Sequence, residues 1–219
     1  MRRAILATVL IFSGLATPAR SAFIITVGDQ TILERGTGTV DVTIRSTDLV
    51  SGNPLATFGF AFRITPSGPG GLDFLNPQSD VELTDPAYVF VGNSANFVTS
   101  SPLGSVSGDS YAGGDGTFDG NAVRVTTPKL LVRLDLTAAA GSAGQRFTIS
   151  LVNSPASTFF KDALFDDVSY TSVAGTVTVA PAAVPEPSTL ASAASALLSS
   201  AALSTVLYLR GRRARPGPA

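Results

Sequence analysis

Apolar and polar residues alternate along most of the chain between residues 22 and 180, and this period of two restricts the fold more than any other feature. Successive side chains of a β-strand point to opposite faces of its sheet, so such alternation predicts strands with one buried face. No stretch in this region has the spacing of a long amphipathic helix. The pattern therefore predicts an all-β domain, an antiparallel β-sandwich, whose strands contain these apolar positions: Phe23, Ile25 and Val27; Val40, Val42 and Ile44; Phe58, Phe60, Phe62 and Ile64; Val123 and Val125; Leu130, Val132, Leu134 and Leu136; Phe147, Ile149 and Leu151; Val177 and Val179.

Clusters of Gly, Pro, Asn and Ser separate these runs and predict turns, because such residues favour backbone conformations that strands do not use. Three clusters are expected to break regular structure, at residues 51–54, 66–71 and 113–116.

The predicted domain is acidic and has no cysteine. Between residues 22 and 184, eight Lys and Arg residues stand against fifteen Asp and Glu residues, which gives a net charge of −7. Nucleic acids need a basic surface, so they are excluded as partners. Without disulfides, the stability of the fold must come from its core.

The first 21 residues have the parts of a secretory signal peptide. Arg2 and Arg3 precede an apolar run over residues 4–15, which is too short to span a membrane. The small residues Ala19 and Ser21 then predict cleavage by signal peptidase before Ala22.

The C-terminal part of the chain predicts a membrane anchor. Residues 190–209 carry no charge and, at 1.5 Å per residue, would form a helix about 30 Å long that spans the bilayer. The basic tail, residues 210–219, should stay in the cytoplasm, so residues 22–180 would face outward across the inner membrane. The linker over residues 181–189 contains Pro185, Glu186 and Pro187, whose prolines favour an extended backbone.

This order of Pro-Glu-Pro motif, hydrophobic span and arginine cluster resembles the PEP-CTERM sorting signal. The resemblance implies that an exosortase, a membrane transpeptidase, recognises Pro185, Glu186 and Pro187 and passes the protein towards the cell surface or an extracellular polysaccharide matrix. It also implies that a set of arginines acts as the topological stop, namely Arg210, Arg212, Arg213 and Arg215.

The region between the two targeting segments resembles, more loosely, cohesin-like and related carbohydrate-binding sandwich modules. The resemblance rests on an opening strand followed by Val27-Gly28-Asp29, a Val-Asp-Val-Thr-Ile strand at residues 40–44, a Phe-rich strand and a closing Gly-Thr-Val-Thr-Val strand. It implies a jelly-roll-like sandwich, and it assigns no binding residues because a fold does not fix a function.

The composition also restricts catalysis. The chain has no histidine and no cysteine, so neither a Ser-His-Asp nor a Cys-His nucleophile can be built. A glycosidase with two carboxylates would need neither residue, but nothing in the sequence pairs two carboxylates. The sequence therefore predicts a protein that is not an enzyme.

Two acidic segments are candidate sites. Asp109, Asp115, Asp119 and Asn121 alternate with glycines, and oxygen ligands on a flexible loop can bind Ca²⁺. Their spacing does not match an EF-hand, so a solvated Asp-Gly turn is favoured over calcium. The second segment, residues 161–167, is interpreted as an edge loop with Phe159 and Phe160 packed inward and its carboxylates in water.

These features predict an exported surface or extracellular-matrix protein with a non-catalytic, structural or adhesive sandwich. A glycan-binding module exported by the same route is the alternative, and a carboxylate-based, glycan-active enzyme is the third hypothesis. The expected partners are signal peptidase, the exosortase and the inner membrane, with extracellular polysaccharide as the ligand of the alternative. No cofactor is expected apart from the candidate calcium ion.

Overall fold

The computed structural model describes residues 22–66, 70–96 and 105–182. In these residues one short 3₁₀ helix, Val81–Thr84, accompanies fourteen strands: β1 (Ala22–Val27), β2 (Gln30–Leu33), β3 (Thr37–Ser46), β4 (Asn53–Leu55), β5 (Thr57–Thr65), β6 (Leu72–Phe74), β7 (Ser105–Ser107), β8 (Ser110–Gly116), β9 (Val123–Val125), β10 (Lys129–Ala138), β11 (Arg146–Leu151), β12 (Phe159–Lys161), β13 (Ser169–Val173) and β14 (Gly175–Ala180). No helix among the described residues has the length and apolar character needed to cross a membrane. The predicted signal peptide, transmembrane helix and basic tail lie outside these residues.

Two sheets form the sandwich. The first has the strand order β13-β1-β3-β10-β6, and the second has the order β2-β14-β11-β5-β8-β7, with β12 pairing β5 beyond the end of β11. Strands β4 and β9 form a small separate pair. The predicted all-β sandwich is confirmed, and every predicted apolar run lies in a strand.

The pairing is not entirely antiparallel, which corrects the predicted fold class. Strand β13 runs parallel to β1, and β14 runs parallel to β2. The reason lies in two short crossings from the first sheet to the second, one between β1 and β2 and the other between β13 and β14. These two segments run side by side in the same direction, and they approach closely at Gly28 and Gly175. A Cβ on Gly175 would lie only 2.2 Å from the carbonyl oxygen of Gly28.

The phenylalanines of β5 lie at the centre of the core. Phe58, Phe60 and Phe62 are buried in a row along the strand: Phe58 stacks on Phe60 with ring centroids 6.0 Å apart, and Phe60 packs against Phe62 in a tilted arrangement at 5.1 Å. Phe58 also stacks on Phe90 at 5.6 Å, and Phe60 meets the edge of Tyr111 at 5.4 Å. The buried faces of both sheets contribute to this single apolar cluster.

The predicted turn at residues 113–116 is wrong, because these residues belong to β8. Gly114 lies opposite Gly59 of β5, and a Cβ on Gly114 would be 2.5 Å from the carbonyl oxygen of Phe58. Glycine here permits close strand packing, although the same residue in a sequence is typical of turns. Residues 53 and 54, also predicted as part of a turn, begin β4.

Strand directions gather three loops at one end of the sandwich. β3 ends there at Ser46, and β8 ends there at Gly116, opposite Thr57 at the start of β5. β12 ends at the same place, because Lys161 also pairs with Thr57. We call this end the loop pole, and it consists of residues 47–52, 117–122 and 162–168.

The chain leaves the sandwich at the opposite end. β5 runs away from the loop pole, β11 returns antiparallel to it, and β14 is antiparallel to β11. The last residue of β14, Ala180, therefore lies at the end where it pairs with Leu33 of β2.

The close approach of the two sheet-switching segments gives a test of the fold. Gly175→Ala should lower the free energy of unfolding by about 1 to 3 kcal/mol, because the added methyl group must push two backbones apart. Gly116→Ala is the matched control, since its Cβ would meet no atom closer than 3.3 Å. Thermal and urea unfolding measure both variants. Equal losses of stability in the two variants would contradict this account of the crossing.

Candidate functional site

The four candidate calcium ligands do not lie on one loop. Strand β8 occupies residues 110–116, so Asp109 and Asp115 are separated along an extended strand by about 20 Å. The interpretation of this segment as a solvated Asp-Gly turn is therefore wrong for residues 110–116, which form a strand. Asp119 and Asn121 follow β8 at the loop pole, and Asp109 precedes β8 at the other end.

Asp115 is buried, and its carboxylate accepts hydrogen bonds from neighbouring side chains inside the domain. Its Oδ2 accepts hydrogen bonds from the Tyr88 hydroxyl at 2.6 Å and from Ser94 Oγ at 2.5 Å. Burial first, and then the nearby Asp115 carboxylate, raise the pKa of Tyr88 above its ordinary value. This network joins β8 to the segment that connects β6 and β7.

Within residues 22–66, 70–96 and 105–182, no group of three carboxylates is arranged to hold a metal ion. Calcium binding itself stays a prediction. The residues predicted for sorting and signal cleavage lie outside the described part of the chain, namely Pro185, Glu186, Pro187, Arg210, Arg212, Arg213, Arg215, Ala19 and Ser21. Ala22 is the first residue of β1, and its backbone N–H donates to Thr47 Oγ1 at 3.0 Å.

Each of the three loops at the loop pole contains an aspartate that fixes its shape. In every case one carboxylate oxygen accepts the backbone N–H two residues further on, which is an Asx turn. These hydrogen bonds run from Val50 N to Asp48 at 3.0 Å, from Asn121 N to Asp119 at 3.0 Å and from Leu164 N to Asp162 at 2.8 Å.

Further hydrogen bonds brace two of these turns. The Ser51 hydroxyl and then the backbone N–H groups of Ser51 and Val50 donate to Asp48 and lower its pKa. Hydrogen bonds from the side chain of Asn93 and then from Asn121 lower the pKa of Asp119 to about 2. Both carboxylates are therefore ionised at neutral pH.

The short segment before β5 connects the three loops. The backbone N–H of Ala56 donates to the carbonyl of Lys161 at 2.8 Å, one residue before the third loop. Its carbonyl accepts from Thr117 N at 2.8 Å, where the second loop begins. Asp48 and Ser51 of the first loop line the same groove as Asp162 and Asp167 of the third. The three loops thus form one surface.

Large apolar side chains extend into solvent from this surface. Five of them are between 61% and 93% exposed, namely Leu49, Val50, Phe118, Leu164 and Phe165. Isolated exposed apolar residues are common, but a group of them at one end of a domain is typical of a binding surface. Sequence analysis missed these residues. Their signal is the presence of apolar residues directly beside the aspartates of the Asx turns, where polar loop residues are expected.

Phe165 has an unusual backbone conformation, with φ at +64°. This left-handed region is unfavourable for a bulky side chain, with a cost of about 1 kcal/mol or more. Lys161 holds the loop closed, because its Nζ donates to the Phe165 carbonyl at 3.2 Å and to Asp167 at 2.9 Å. The loop therefore presents Phe165 at the expense of local backbone energy.

The interpretation of residues 161–167 as an edge loop is confirmed in part. Phe160 is buried, and Asp166 and Asp167 are in water. Phe165, in contrast, points into solvent.

Beside this loop, an aromatic groove of about 450 Å³ runs between β12 and β13. The Tyr170 ring lies in it, packs edge-on against Phe160 at 5.0 Å and donates its hydroxyl to Asn153 Oδ1 at 3.0 Å.

Glu82 is the most strongly perturbed carboxyl group of the described residues. It lies in the 3₁₀ helix, is fully buried, and neither of its oxygens has a hydrogen-bond partner in the described part of the chain. Burial, with a smaller contribution from Asp135, raises the pKa of Glu82 from its ordinary 4.5 to about 7. Because no oxygen of Glu82 reaches the surface, this carboxyl group is not presented to a substrate.

The buried carboxyl group should make stability depend on pH. Between pH 4.5 and about 7 the folded protein keeps a proton on Glu82 that the unfolded chain releases, so stability should fall as the pH rises through this window. The expected loss is roughly 3 kcal/mol. Urea unfolding at several pH values measures it, and Glu82→Gln should flatten the profile. Asp80→Asn, an exposed neighbour, is the control and should keep the slope; a Glu82→Gln profile as steep as that of the wild type would contradict the assignment.

No protein-family model matches the chain. No curated protein sequence matches it either. Solved structures do match its fold. The chain is similar to the sixth cohesin of scaffoldin B from Acetivibrio cellulolyticus, solved in complex with a Cel5 dockerin, with a TM-score of 0.51 and 13% identity over 72% of this chain and 99% of that one.

Two other cohesins are comparably similar. A type I cohesin from Pseudobacteroides cellulosolvens has a TM-score of 0.52 and 12% identity over 75% of this chain and 96% of that one. A cohesin from a type I cohesin–dockerin complex of Clostridium thermocellum has a TM-score of 0.50 and 12% identity over 74% and 95%. Identities this low establish the fold alone. The described domain therefore has a cohesin-like β-sandwich fold, as the looser of the two sequence resemblances implied.

Proposed function

We propose that this chain is an exported surface protein, sorted by an exosortase, whose cohesin-like sandwich is a non-catalytic module that binds a protein partner. The observation that carries this proposal is the loop pole, where three Asp-braced loops hold five large apolar side chains in solvent. Such an arrangement costs stability and solubility unless another surface covers it.

The cohesins solved with dockerins support the choice of a protein as the ligand, because those structures contain a similar sandwich bound to another protein. The chemistry of the chain supports a non-catalytic role. It has no histidine or cysteine, and the carboxyl group whose pKa is most strongly raised among the described residues, on Glu82, is enclosed in the core. The sandwich therefore offers a surface rather than a reaction centre.

The sequence of the C-terminal segment supports the export route. Pro185, Glu186 and Pro187 precede an uncharged stretch and an arginine cluster, in the order of the PEP-CTERM signal. The chain leaves the sandwich at Ala180, at the end opposite the loop pole. A tether attached at that end would leave the loop pole free to meet a partner.

The sorting part of the proposal predicts the fate of one variant. Replacing Pro185, Glu186 and Pro187 by alanine removes the extended geometry and the carboxylate but leaves the predicted span and arginines unchanged. In a host with an exosortase, the variant should remain uncleaved in the inner membrane while the wild type is shortened and released. Mass spectrometry of fractionated cells measures both. If the wild-type protein is found at full length in the membrane, the C-terminal segment is a simple membrane anchor and the sorting hypothesis is wrong.

The binding part predicts what the processed protein recognises on cells. Fluorescently labelled processed protein is added to host cells that are untreated, shaved with trypsin, or oxidised with periodate to destroy polysaccharide. For a protein partner, binding should fall at least tenfold on shaved cells and remain on oxidised cells.

The opposite result, loss on oxidised cells alone, would favour the alternative function as a glycan-binding module. The aromatic groove beside Tyr170 would then be the surface to examine, because aromatic rings and amide groups are common in sugar sites. Binding that survives both treatments would contradict both functions.

A further inference from the structure

We infer that the loop pole binds a protein surface on which lysine and arginine side chains surround an apolar patch. This inference rests on the proposed function, since it names the chemistry of the partner that the sandwich would bind. It adds a location and a charge pattern that neither the fold nor the sequence resemblances assign.

The apolar part of the surface sets the first requirement for the partner. Phenylalanine side chains bury 150 to 250 Å² each when covered, so Phe118 and Phe165, exposed by 83% and 72%, offer together about 230 to 390 Å². Val50 on the first loop and Leu164 on the third loop extend this area. A partner must supply an apolar patch of similar size to remove it from water.

The charges carried by the three loops themselves are of one sign. The three loops contain five aspartates, Asp48, Asp119, Asp162, Asp166 and Asp167, and no lysine or arginine. Three basic residues lie within two positions of the loops, and two of them are engaged within the domain, whereas Arg45 is exposed on β3, so the five aspartates still outnumber the basic residues. Lys161 bonds to Asp167 and to the Phe165 carbonyl, and Arg124 donates to the carbonyls of Ser51 and Gly52 at 3.4 and 3.2 Å.

This acidic rim selects among possible partners. Complementary charge at the rim of an interface steers encounter and rejects surfaces of like charge. A basic protein surface fits, whereas an anionic lipid bilayer or a second copy of the same pole would be repelled. Asp166 is the most direct reporter of this effect, because its carboxylate is exposed and makes no hydrogen bond in the described structure.

The loops hold this shape before any partner arrives. Asx turns fix all three, the second loop is further bonded to Asn93, and the third is closed by a bridge between Lys161 and Asp167. A surface that is ordered in advance loses less conformational entropy on binding. The left-handed backbone at Phe165 is the clearest case, since asparagine or glycine would fit that position better.

The test uses the processed full-length protein in the cell-binding assay, with variants of the loop pole. Phe165→Asn and Phe118→Ser should each lower the affinity at least about tenfold, as expected for central apolar contacts. Phe165→Asn should keep or raise the melting temperature, so a loss of binding cannot be ascribed to misfolding. Asp166→Lys should weaken binding about three- to tenfold, and more at 50 mM than at 500 mM NaCl.

Matched controls lie away from the pole. Leu33→Ser removes an apolar side chain that is 54% exposed at the opposite end, and Asp73→Lys reverses a charge on β6. Both should bind as the wild type does. The cells supply a second test, of the charge pattern of the partner. Acetylation of their surface lysines with sulfo-NHS-acetate and modification of their arginines with phenylglyoxal should abolish wild-type binding.

The outcomes separate this inference from the proposed function. Binding that trypsin shaving does not reduce would contradict the proposed function, and the inference would fall with it. If shaving removes binding but the variants Phe165→Asn, Phe118→Ser and Asp166→Lys bind normally, the ligand is a protein but the loop pole is not its binding site. Binding unaffected by lysine and arginine modification would overturn the charge pattern. Sedimentation of the wild type with phosphatidylglycerol vesicles would instead make the loop pole a membrane-binding surface.

Discussion

The packing of the phenylalanines of β5 is the interaction on which the rest of the structure depends. The chain has no cysteine, so burial of apolar surface must offset the entropy cost of folding without disulfides. Phe58, Phe60 and Phe62 supply large buried rings that contact one another, Tyr111 of the neighbouring strand β8 and Phe90 of the segment between β6 and β7. Ala56, one residue before β5, then links the second and third loops of the loop pole, so the candidate binding surface is attached to the strand that carries these phenylalanines.

The two segments that cross between the sheets at Gly28 and Gly175 determine which end of the sandwich carries the loop pole and at which end β14 finishes. Because both segments pass from the first sheet to the second in the same direction, β14 continues away from the loop pole and ends beside β2. The loop pole and the last residue of β14 therefore lie at opposite ends of the sandwich. In this fold a local steric requirement, the absence of a Cβ at Gly175, supports the geometry that the proposed function needs.

The carboxylates of this protein differ in role although they are chemically alike. Asp115 accepts hydrogen bonds in the core, Asp119 fixes a surface loop, and Glu82 is enclosed without a hydrogen-bond partner in the described residues. Beside Asp135, the side-chain amide of Gln78 makes the two backbone hydrogen bonds that a neighbouring strand would make. Its Nε2 donates to the Asp135 carbonyl at 2.8 Å, and its Oε1 accepts from the Asp135 N–H at 2.7 Å. Burial and hydrogen bonding, rather than residue type, decide whether an acidic group is structural, titratable in the neutral range or available to a ligand.

The sequence by itself determined the all-β class, the main strands and the acidic, cysteine-free character of the domain, because side-chain alternation reports directly which face of a strand is buried. It did not reveal β13, whose Ser-Tyr-Thr-Ser-Val sequence is almost wholly exposed and so has no alternation to detect. It also misassigned residues 113–116, because glycine is equally compatible with a turn and with close strand packing. Only the tertiary structure decided that Asp109 and Asp119 lie at opposite ends of β8 and that Phe118 and Phe165 share one surface. These relations depend on strand pairing between residues far apart in the chain, which local sequence patterns do not encode.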